Sequence, residues 1–226
     1  LQNKFGTKKF IVYFQSFTNT YAPIATLKAL YEKALSFENV IGLSIGTRTD
    51  CVTDEILDYL VDLSKDKEIW IEFGIQSFYD ETLVNINRGD TADNMRYWIK
   101  RSKEKGLNVC GHLIYGLPKE TQEMMLETFR QTVELKVDSI KFHPLYVVKN
   151  TLLTNEFKKG RFTPISEELY IDTVVKSIKN LPENISIQRI TAGINDSTLL
   201  SPDWCRDKHT QMKNIRLALE KEGFDY

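Results

Sequence analysis

Residues 69–89 read Ile-Trp-Ile-Glu-Phe-Gly-Ile-Gln-Ser-Phe-Tyr-Asp-Glu-Thr-Leu-Val-Asn-Ile-Asn-Arg-Gly. The apolar start of this stretch predicts a buried strand, which ends in two hydrogen-bonding residues, Gln76 and Ser77. A short helical segment then leads to Arg88 and Gly89. Ligands of parallel α/β barrels bind where the strands end, at their carboxyl edge. Gln76 and Arg88 therefore indicate a site for a polar, partly anionic ligand.

Composition sets limits on the class of protein. The chain has 226 residues, of which 42% are hydrophobic and 27% charged, enough for one large α/β core. The formal net charge of −1 provides no global basic field, so nucleic acid is a possible partner that the charge does not indicate. No apolar run approaches the roughly 18 residues that span a membrane, and no signal-peptide pattern opens the chain. We expect a cytoplasmic protein with no membrane partner.

The three cysteines, Cys51, Cys110 and Cys205, lie far apart in sequence. They form no C-x-x-C pair, no zinc-ligand spacing and no disulfide framework. The sequence therefore predicts no metal ligands and no cluster motif in this chain.

Apolar runs and helical patterns alternate along the first two thirds of the chain. Strands separated by helices of ten to fifteen residues predict right-handed βαβ units and a parallel sheet. The predicted strands are Lys9–Gln15, Val40–Gly46, the segment from Ile69, Val109–Tyr115 and Ser139–His143. The predicted helices are Pro23–Ser36, a helix after the Thr53-Asp54-Glu55 cap, a short helix before Arg88, Ala92–Lys105 closed by Gly106, and Glu120–Leu135.

The rhythm changes after His143. Residues 145–165 contain Gly160 and Pro164 and predict an irregular arm. A helix at Glu167–Asn180, a strand at Ile185–Ile190 and a helix at Asp207–Gly223 are predicted to follow. The expected domain organisation is a barrel over residues 1–144 and a C-terminal extension over residues 145–226.

Four further segments place polar residues at or after strand ends. They are Tyr13–Pro23, Gly42–Cys51, His112–Thr121 and Lys141–His143. Together with Glu72–Gly89, and in this order, they resemble the radical S-adenosylmethionine (SAM) superfamily. The likeness is to the branch of the elongator catalytic subunit and, most closely, to the YhcC-like family, whose reaction is not established. It covers essentially the whole chain.

The resemblance implies an α/β fold: a partial TIM-type (β/α)6 barrel with a parallel sheet and a C-terminal α/β extension. In this family a C-x3-C-x2-C motif on the first strand holds a 4Fe–4S cluster. The chain contains no such motif, so we expect it to lack that first strand and to begin at the second. SAM and the cluster are then expected in the full-length protein, with a reductant such as flavodoxin or ferredoxin, and neither cofactor is expected on this fragment.

The resemblance also implies roles for individual residues. Gln76, followed by Ser77, matches the glutamine that contacts SAM, and leaving a buried amide unpaired would cost about 1–3 kcal/mol. Arg88 matches the arginine that pairs with the SAM carboxylate, a task suited to its planar fork. The alternatives are a loop-bonding glutamine and an ion pair of Arg88 with Asp80 or Glu81.

Two turns complete the implied cofactor site. Gln15, Thr18 and Asn19 stand where relatives carry a glycine-rich turn that accepts the methionine amino group, although a plain loop cap would explain them equally well. The segment Gly116-Leu117-Pro118 matches a turn that packs against the SAM adenine, and tight-turn geometry alone is the alternative.

No catalytic residue is assigned, and four residues are candidate substrate contacts. Arg48 ends the second predicted strand, where an internal ion pair with Asp50 is slightly favoured. His112, Lys141 and His143 alternate along their strands, and a core histidine is the common alternative. Two rival functions stay open. One is a non-radical α/β-barrel lyase or hydrolase using these three residues as acid–base groups, and the other is a non-catalytic module, possibly one that binds RNA.

Overall fold

The structure is a computed structural model that describes residues 6–224. The strands are β1 (Phe10–Phe14), β2 (Val40–Thr47), β3 (Glu68–Gln76), β4 (Asn108–Tyr115), β5 (Ser139–Pro144), β6 (Val147–Val148), β7 (Ser186–Arg189) and β8 (Leu199–Ser201). The α-helices are α1 (Ile24–Leu35), α2 (Asp54–Ser64), α3 (Asp80–Asn85), α4 (Ala92–Glu104), α5 (Gln122–Glu134), α6 (Leu152–Lys158), α7 (Glu167–Lys179) and α8 (Lys208–Lys221). Two 3₁₀ turns span Thr49–Cys51 and Asp203–Arg206.

Six strands form one sheet in the order β1-β2-β3-β4-β5-β7. The pairings of β1 with β2, β2 with β3 and β5 with β7 are parallel, as the βαβ pattern predicts. The predicted fold class, a parallel α/β sheet of barrel type, is confirmed. Strand β7 was predicted only as an added element, but it joins the sheet as the direct neighbour of β5.

The predicted irregular arm is partly wrong. Residues 145–165 contain β6 and helix α6, and β6 pairs antiparallel with β8. Both strands are two or three residues long, so they carry no alternation that would identify them. In α6, the Thr151 side chain accepts a hydrogen bond from the backbone N–H of Thr154 at 3.3 Å and so caps the helix.

The chain divides into two compact units. The first contains the described residues up to Ile75, together with Asp93–Gly111 and Leu135–Asp138. The second contains Gln76–Ala92, His112–Glu134 and the described residues from Ser139 onward. The predicted boundary at residue 144 concerns domain organisation and stays a prediction.

The core of the first unit lies between its strands and helices α1, α2 and α4. Residues of β3 alternate, so Ile71 and Phe73 are fully buried in this core, and Glu72 points to the opposite face of the sheet. The predicted Thr53 cap is confirmed, because its side chain accepts a hydrogen bond from the backbone N–H of Ile56. Gly106 ends α4 with a left-handed φ of 85°, also as predicted.

The core of the second unit is rich in aromatic rings. Tyr115 lies 5.3 Å from Phe142 and 6.2 Å from Tyr170, measured between ring centroids. The Tyr115 hydroxyl is hydrogen-bonded to the Ser177 hydroxyl at 2.7 Å, so the polar tip of this buried ring is satisfied. Helix α7 is thereby fixed to the end of β4. Over the described residues, helices that combine the length and the apolar character required to cross a membrane are not found.

Candidate cofactor and substrate site

The turn after β1 is held by the side chain of Asn19. Its Nδ2 donates hydrogen bonds to the carbonyl oxygens of Gly46 at 2.9 Å, Phe14 at 3.2 Å and Ser16 at 3.3 Å. Asn19 therefore fixes the turn through its amide N–H groups, which favours the loop-cap alternative for this residue. The backbone carbonyl of Asn19 also accepts a hydrogen bond from the Tyr31 hydroxyl at 2.5 Å.

The other two candidates of this turn are accessible. Gln15 is exposed and Thr18 is half-buried, and neither side chain hydrogen-bonds to another residue that the structure describes. Ser16 and Phe17 between them adopt left-handed φ angles of 81° and 59°, and Phe17 is completely exposed. The turn thus carries the side chains of Gln15 and Thr18 without partners among the described residues, while hydrogen bonds from Asn19 hold its backbone.

Arg48 forms an ion pair at the end of β2. Its Nε and Nη2 donate to the two carboxylate oxygens of Asp50 at 2.7 Å and 2.6 Å, a bidentate geometry. Burial alone would raise the pKa of the Asp50 carboxyl, but the hydrogen bonds and charge of Arg48 outweigh it and hold that pKa below its usual range. The structure therefore shows the internal ion pair that the sequence slightly favoured.

A buried carboxylate, Glu72, lies on the face of the sheet opposite the core of the first unit. It is 1% exposed and accepts hydrogen bonds from the Tyr13 hydroxyl at 3.1 Å and from the Ser44 hydroxyl. The Cys110 sulfur lies within 4.8 Å of one of its oxygens. Sequence reasoning missed Glu72, although a single carboxylate inside the apolar run of β3 was a usable signal.

Gln76 ends β3 with an unusual backbone. Its φ is 68°, in the left-handed region that a residue with a Cβ adopts only at a cost of about 1–3 kcal/mol. The side chain is half-buried, and among residues 6–224 its amide has no hydrogen-bond partner. The loop-bonding alternative for Gln76 therefore finds no partner in the described chain.

The Ser77 side chain makes two hydrogen bonds within the protein. Its hydroxyl, fully buried, donates to the Glu120 carboxylate at 2.5 Å and accepts a hydrogen bond from the backbone N–H of Tyr79 at 3.1 Å. Ser77 therefore ties the end of β3 to the turn after β4. Its predicted contact with the cofactor would have to coexist with these two bonds.

Glu120 is a second carboxylate that sequence reasoning missed. Burial raises the pKa of its carboxyl above the usual range, and hydrogen bonds from Ser77 and Thr82 partly oppose that rise. It follows the Gly116-Leu117-Pro118 turn, where a glutamate before a helix would be read as an ordinary N-terminal charge. Only the fold shows that it is buried against Ser77.

The turn after β4 is shaped by the arm. Gly116 has a φ of 90°, and a Cβ placed there would lie 2.7 Å from the Cβ of Ile165. Glycine is therefore required at this position by a protein contact, in agreement with the tight-turn alternative. Leu117 is 4% exposed and Pro118 is half-buried.

A cavity of about 1090 Å³ lies beside this turn in the second unit. Its walls come from the residues 116–120, the loop 85–87 and the arm residues 161–166. Phe162, Pro164 and Ile165 make much of the wall apolar, and small-molecule sites are typically mainly apolar with a few polar groups. Gly116, Leu117 and Pro118 thus line a cavity large enough for a nucleoside-sized ligand.

Arg88 follows this loop immediately. Asn87 has a left-handed φ of 53°, and the backbone N–H of Arg88 donates to the Leu83 carbonyl at 2.8 Å, so the backbone is fixed. The two acidic residues of the alternative ion pair have contacts elsewhere, since Asp80 caps the backbone N–H of Ala92 at 2.8 Å and Glu81 lies 3.9 Å from Lys119. Arg88 is itself half-buried.

The end of β5 carries His143 in a hydrogen-bonded pair. Its Nδ1 is 2.7 Å from the Pro144 carbonyl oxygen and must donate there, and its Nε2 is 3.3 Å from the Tyr146 hydroxyl. Burial lowers the pKa of His143 to about 4. His112 is half-buried in β4, Lys141 is 8% exposed in β5, and the charge of His112 acts on His143. Three candidate substrate residues therefore share one region of the second unit, and Tyr146 was missed.

The cysteines do not fit a 4Fe–4S cluster. Cys110 and Cys205 are fully buried, and burial raises the pKa of the Cys205 thiol to about 12. Cluster iron is ligated by thiolates, and a thiol held protonated in an apolar core does not supply one. Cys51 alone is partly accessible. The cysteines among residues 6–224 therefore do not provide a site for a 4Fe–4S cluster.

The sheet order and the parallel pairings define an α/β protein of barrel type. Comparison with known proteins makes this specific. The Radical SAM superfamily pattern matches residues 1–132, and the Radical_SAM C-terminal domain matches residues 137–221. The chain belongs to the radical SAM superfamily.

Individual relatives agree with this assignment. Protein YhcC of Escherichia coli is 38% identical over 218 residues, which cover 96% of this chain and 70% of YhcC. A tRNA uridine(34) acetyltransferase of Methanocaldococcus jannaschii is 28% identical over 157 residues, covering 68% of this chain and 28% of the relative. The structure of Methanocaldococcus infernus Elp3 superposes with a TM-score of 0.84 at 22% identity, over 99% of this chain and 57% of Elp3. The YhcC-like branch related to elongator proteins, predicted from the motifs, is confirmed.

Proposed function

We propose that the full-length protein is a radical SAM enzyme, an oxidoreductase or transferase, whose SAM is held by the strand ends of this chain. SAM and a 4Fe–4S cluster, when bound together, supply a 5′-deoxyadenosyl radical by reductive cleavage of SAM. The cluster thiolates would come from outside residues 6–224, and the electron from a carrier such as flavodoxin or ferredoxin. Residues of this chain bind and orient SAM and exclude water around it.

Gln76 carries the proposal. Its left-handed backbone is retained although it costs stability, and its amide has no partner in the described chain. Strain of this kind clusters at ligand sites. An amide offers both a donor and an acceptor, which suits a ligand that carries an ammonium, a carboxylate and ribose hydroxyls.

Arg88 and the cavity support the same ligand. The guanidinium of Arg88 suits a carboxylate, because two parallel N–H donors match its two oxygens. The cavity beside Gly116-Leu117-Pro118 offers apolar walls for an adenine ring. Gln15 and Thr18, with free side chains in the turn after β1, are proposed for the amino group, and Ser77 and Asn19 for positioning the two turns.

The test combines product formation with SAM binding. Anaerobically reconstituted full-length protein, reduced with dithionite, should form 5′-deoxyadenosine, measured by liquid chromatography. Gln76→Ala should weaken SAM binding roughly 10- to 150-fold, the equivalent of about 1.5–3 kcal/mol for a hydrogen bond to a charged group. Gln122→Ala is the matched control, because Gln122 lies on helix α5 and bonds Asp172. Absence of 5′-deoxyadenosine from protein with a verified 4Fe–4S cluster would refute the proposal.

The two rival functions have weaker support. A lyase or hydrolase using His143 as a general acid conflicts with its pKa of about 4, since the ring is then neutral at ordinary pH and its Nδ1–H is bonded to Pro144. RNA binding rests on the relative that is a tRNA uridine(34) acetyltransferase. A salt-dependent gel shift with tRNA would support RNA as the substrate class.

A further inference from the structure

Arg189, the last residue of β7, is an arginine without a protein partner. Its side chain is half-buried, and its Nε is sealed from solvent yet makes no hydrogen bond. In the part of the chain that the structure describes, no carboxylate pairs with it either. This distinguishes it from Arg48, Arg101 and Arg130, each of which is paired with an acidic side chain.

Arg189 lies beside β5 and acts electrostatically on residues at its end. In the parallel register of β5 and β7 its partner is Lys141, which is nearly buried. The charge of Arg189 acts on His143, whose pKa burial and neighbouring charges lower to about 4. It also acts on Tyr146, where it opposes the rise of the hydroxyl pKa that burial causes. His143 and Tyr146 are hydrogen-bonded at 3.3 Å, and Arg189 ends the strand that pairs with β5; these three residues are called the Arg189 cluster.

Such an arrangement is unfavourable in the protein alone. Burying the Nε–H of a guanidinium without a hydrogen-bond partner costs stability, roughly 1–3 kcal/mol for a neutral donor and more for a charged one. The cost is offset when an anion binds, because the guanidinium then donates to two oxygens in a planar fork. Ligands of parallel α/β sheets bind at this edge of the strands.

We propose that the Arg189 cluster binds the carboxylate or phosphate group of a small-molecule substrate. Arg189 supplies the charge and a bidentate contact, and the single proton of the Tyr146 hydroxyl is donated to His143 Nε2. His143 stays neutral and holds Tyr146 through its Nε2, so it is a positioning residue. This inference rests on the proposed function, since it names the substrate class of the same enzyme. It excludes an entirely uncharged substrate.

The test observes the Arg189 Nε–H signal directly by 15N NMR in the full-length protein, without SAM or cluster. Inorganic phosphate and succinate are titrated separately at constant ionic strength. We expect a saturable shift of the Arg189 signal with at least one anion, and the anion that binds identifies the oxygen-bearing group. The signal of Arg130, exposed and paired on helix α5, is the internal control.

The titration distinguishes a specific anion site at Arg189 from a general effect of the added salt. A shift of the Arg189 signal that does not saturate, or that the Arg130 signal matches, overturns the anion site. A second measurement uses Arg189→Gln, with Arg130→Gln as the matched variant of equal charge change. Anion-dependent thermal stabilisation should be lost in Arg189→Gln only. Because neither measurement requires SAM cleavage, failure here leaves the proposed function standing, and absence of 5′-deoxyadenosine leaves these results interpretable.

Discussion

The hydrogen bond from Ser77 to Glu120 makes a prediction about stability and pH. Glu120 is a half-buried carboxylate whose folded-state pKa lies above its usual 4.5, and the Ser77 hydroxyl favours its ionised form. A group whose pKa is raised by folding contributes stability that is present below the unfolded pKa. That stability is lost as pH rises through the folded pKa. Ionisation of Glu120 therefore lowers the free energy of unfolding as the pH rises, and the hydrogen bond from Ser77 makes this decrease smaller.

The expected loss of stability in Ser77→Ala follows from the hydrogen bond to Glu120 that it removes. Ser77→Ala should cost about 0.5–1.5 kcal/mol where Glu120 is protonated, because it then removes a neutral hydrogen bond. Where Glu120 is ionised the cost should reach about 1.5–3 kcal/mol, because a charge-assisted bond is lost. The cost of the substitution should therefore grow with rising pH, by about 1 kcal/mol in all.

Urea unfolding followed by circular dichroism at a series of pH values between 5 and 8.5 measures this cost. In the Glu120→Gln background the cost of Ser77→Ala should be independent of pH, since nothing titrates. Ser64→Ala is the matched control, because the Ser64 hydroxyl is hydrogen-bonded to the Val61 carbonyl at 2.7 Å, which carries no titratable group. A pH-independent cost of Ser77→Ala in the otherwise unchanged protein would refute the reasoning.

Three further substitutions test the turns and caps by urea unfolding. Gly116→Ala should destabilise by at least about 1–3 kcal/mol, because it combines a left-handed φ with a collision at Ile165, whereas Gly160→Ala, with open space around it, should cost only the backbone strain of about 1–2 kcal/mol. Equal costs for the two variants would contradict this. Asn19→Ala should cost about 1–3 kcal/mol, because the partly buried carbonyls of Phe14 and Gly46 lose their donor; an unchanged midpoint would exclude the anchoring role. Thr53→Ala should cost about 1 kcal/mol through loss of the N-cap, and Thr53→Ser should restore most of it.

Much of the fold could be predicted from the sequence, because its main elements are periodic. Strands β1 to β5 and the long helices end within a few residues of their predicted ends, since alternation and caps mark them. Strands β6 and β8 and helix α6 were missed, because elements of two to seven residues have too few repeats to show a period. The pairing of β7 with β5 was also missed, since the local sequence pattern of a strand does not show which distant strand is its neighbour in the sheet.

The place of the candidate site stays a prediction, and the contacts of its residues could not be predicted from the sequence. Parallel strands end at one edge, so Gln76 and Arg88 could be identified from position alone. The sequence could not show which side chains already have hydrogen-bond partners within the protein, because those bonds join distant residues. The Ser77 hydroxyl, for example, donates to the Glu120 carboxylate, forty-three residues away. Arg189 was missed for the same reason, since an arginine that ends a strand has no sequence feature showing that it lacks a carboxylate partner.

Several candidate residues lie at or beside positions with a strained, left-handed backbone. Among the described residues other than glycine, left-handed φ angles occur at Ser16 and Phe17 after β1, at Gln76 at the end of β3, at Asn87 before Arg88 and at Lys119 after β4, and also at Asn39, Lys136 and Asn150, away from the candidate residues. Each costs stability, and a turn that only connected two elements would favour glycine at such a position. Side chains are retained at these points instead, and Gln76 keeps an amide that no described residue satisfies. The strained backbone at Gln76 therefore supports the proposed function, in which the Gln76 amide binds SAM at the end of β3.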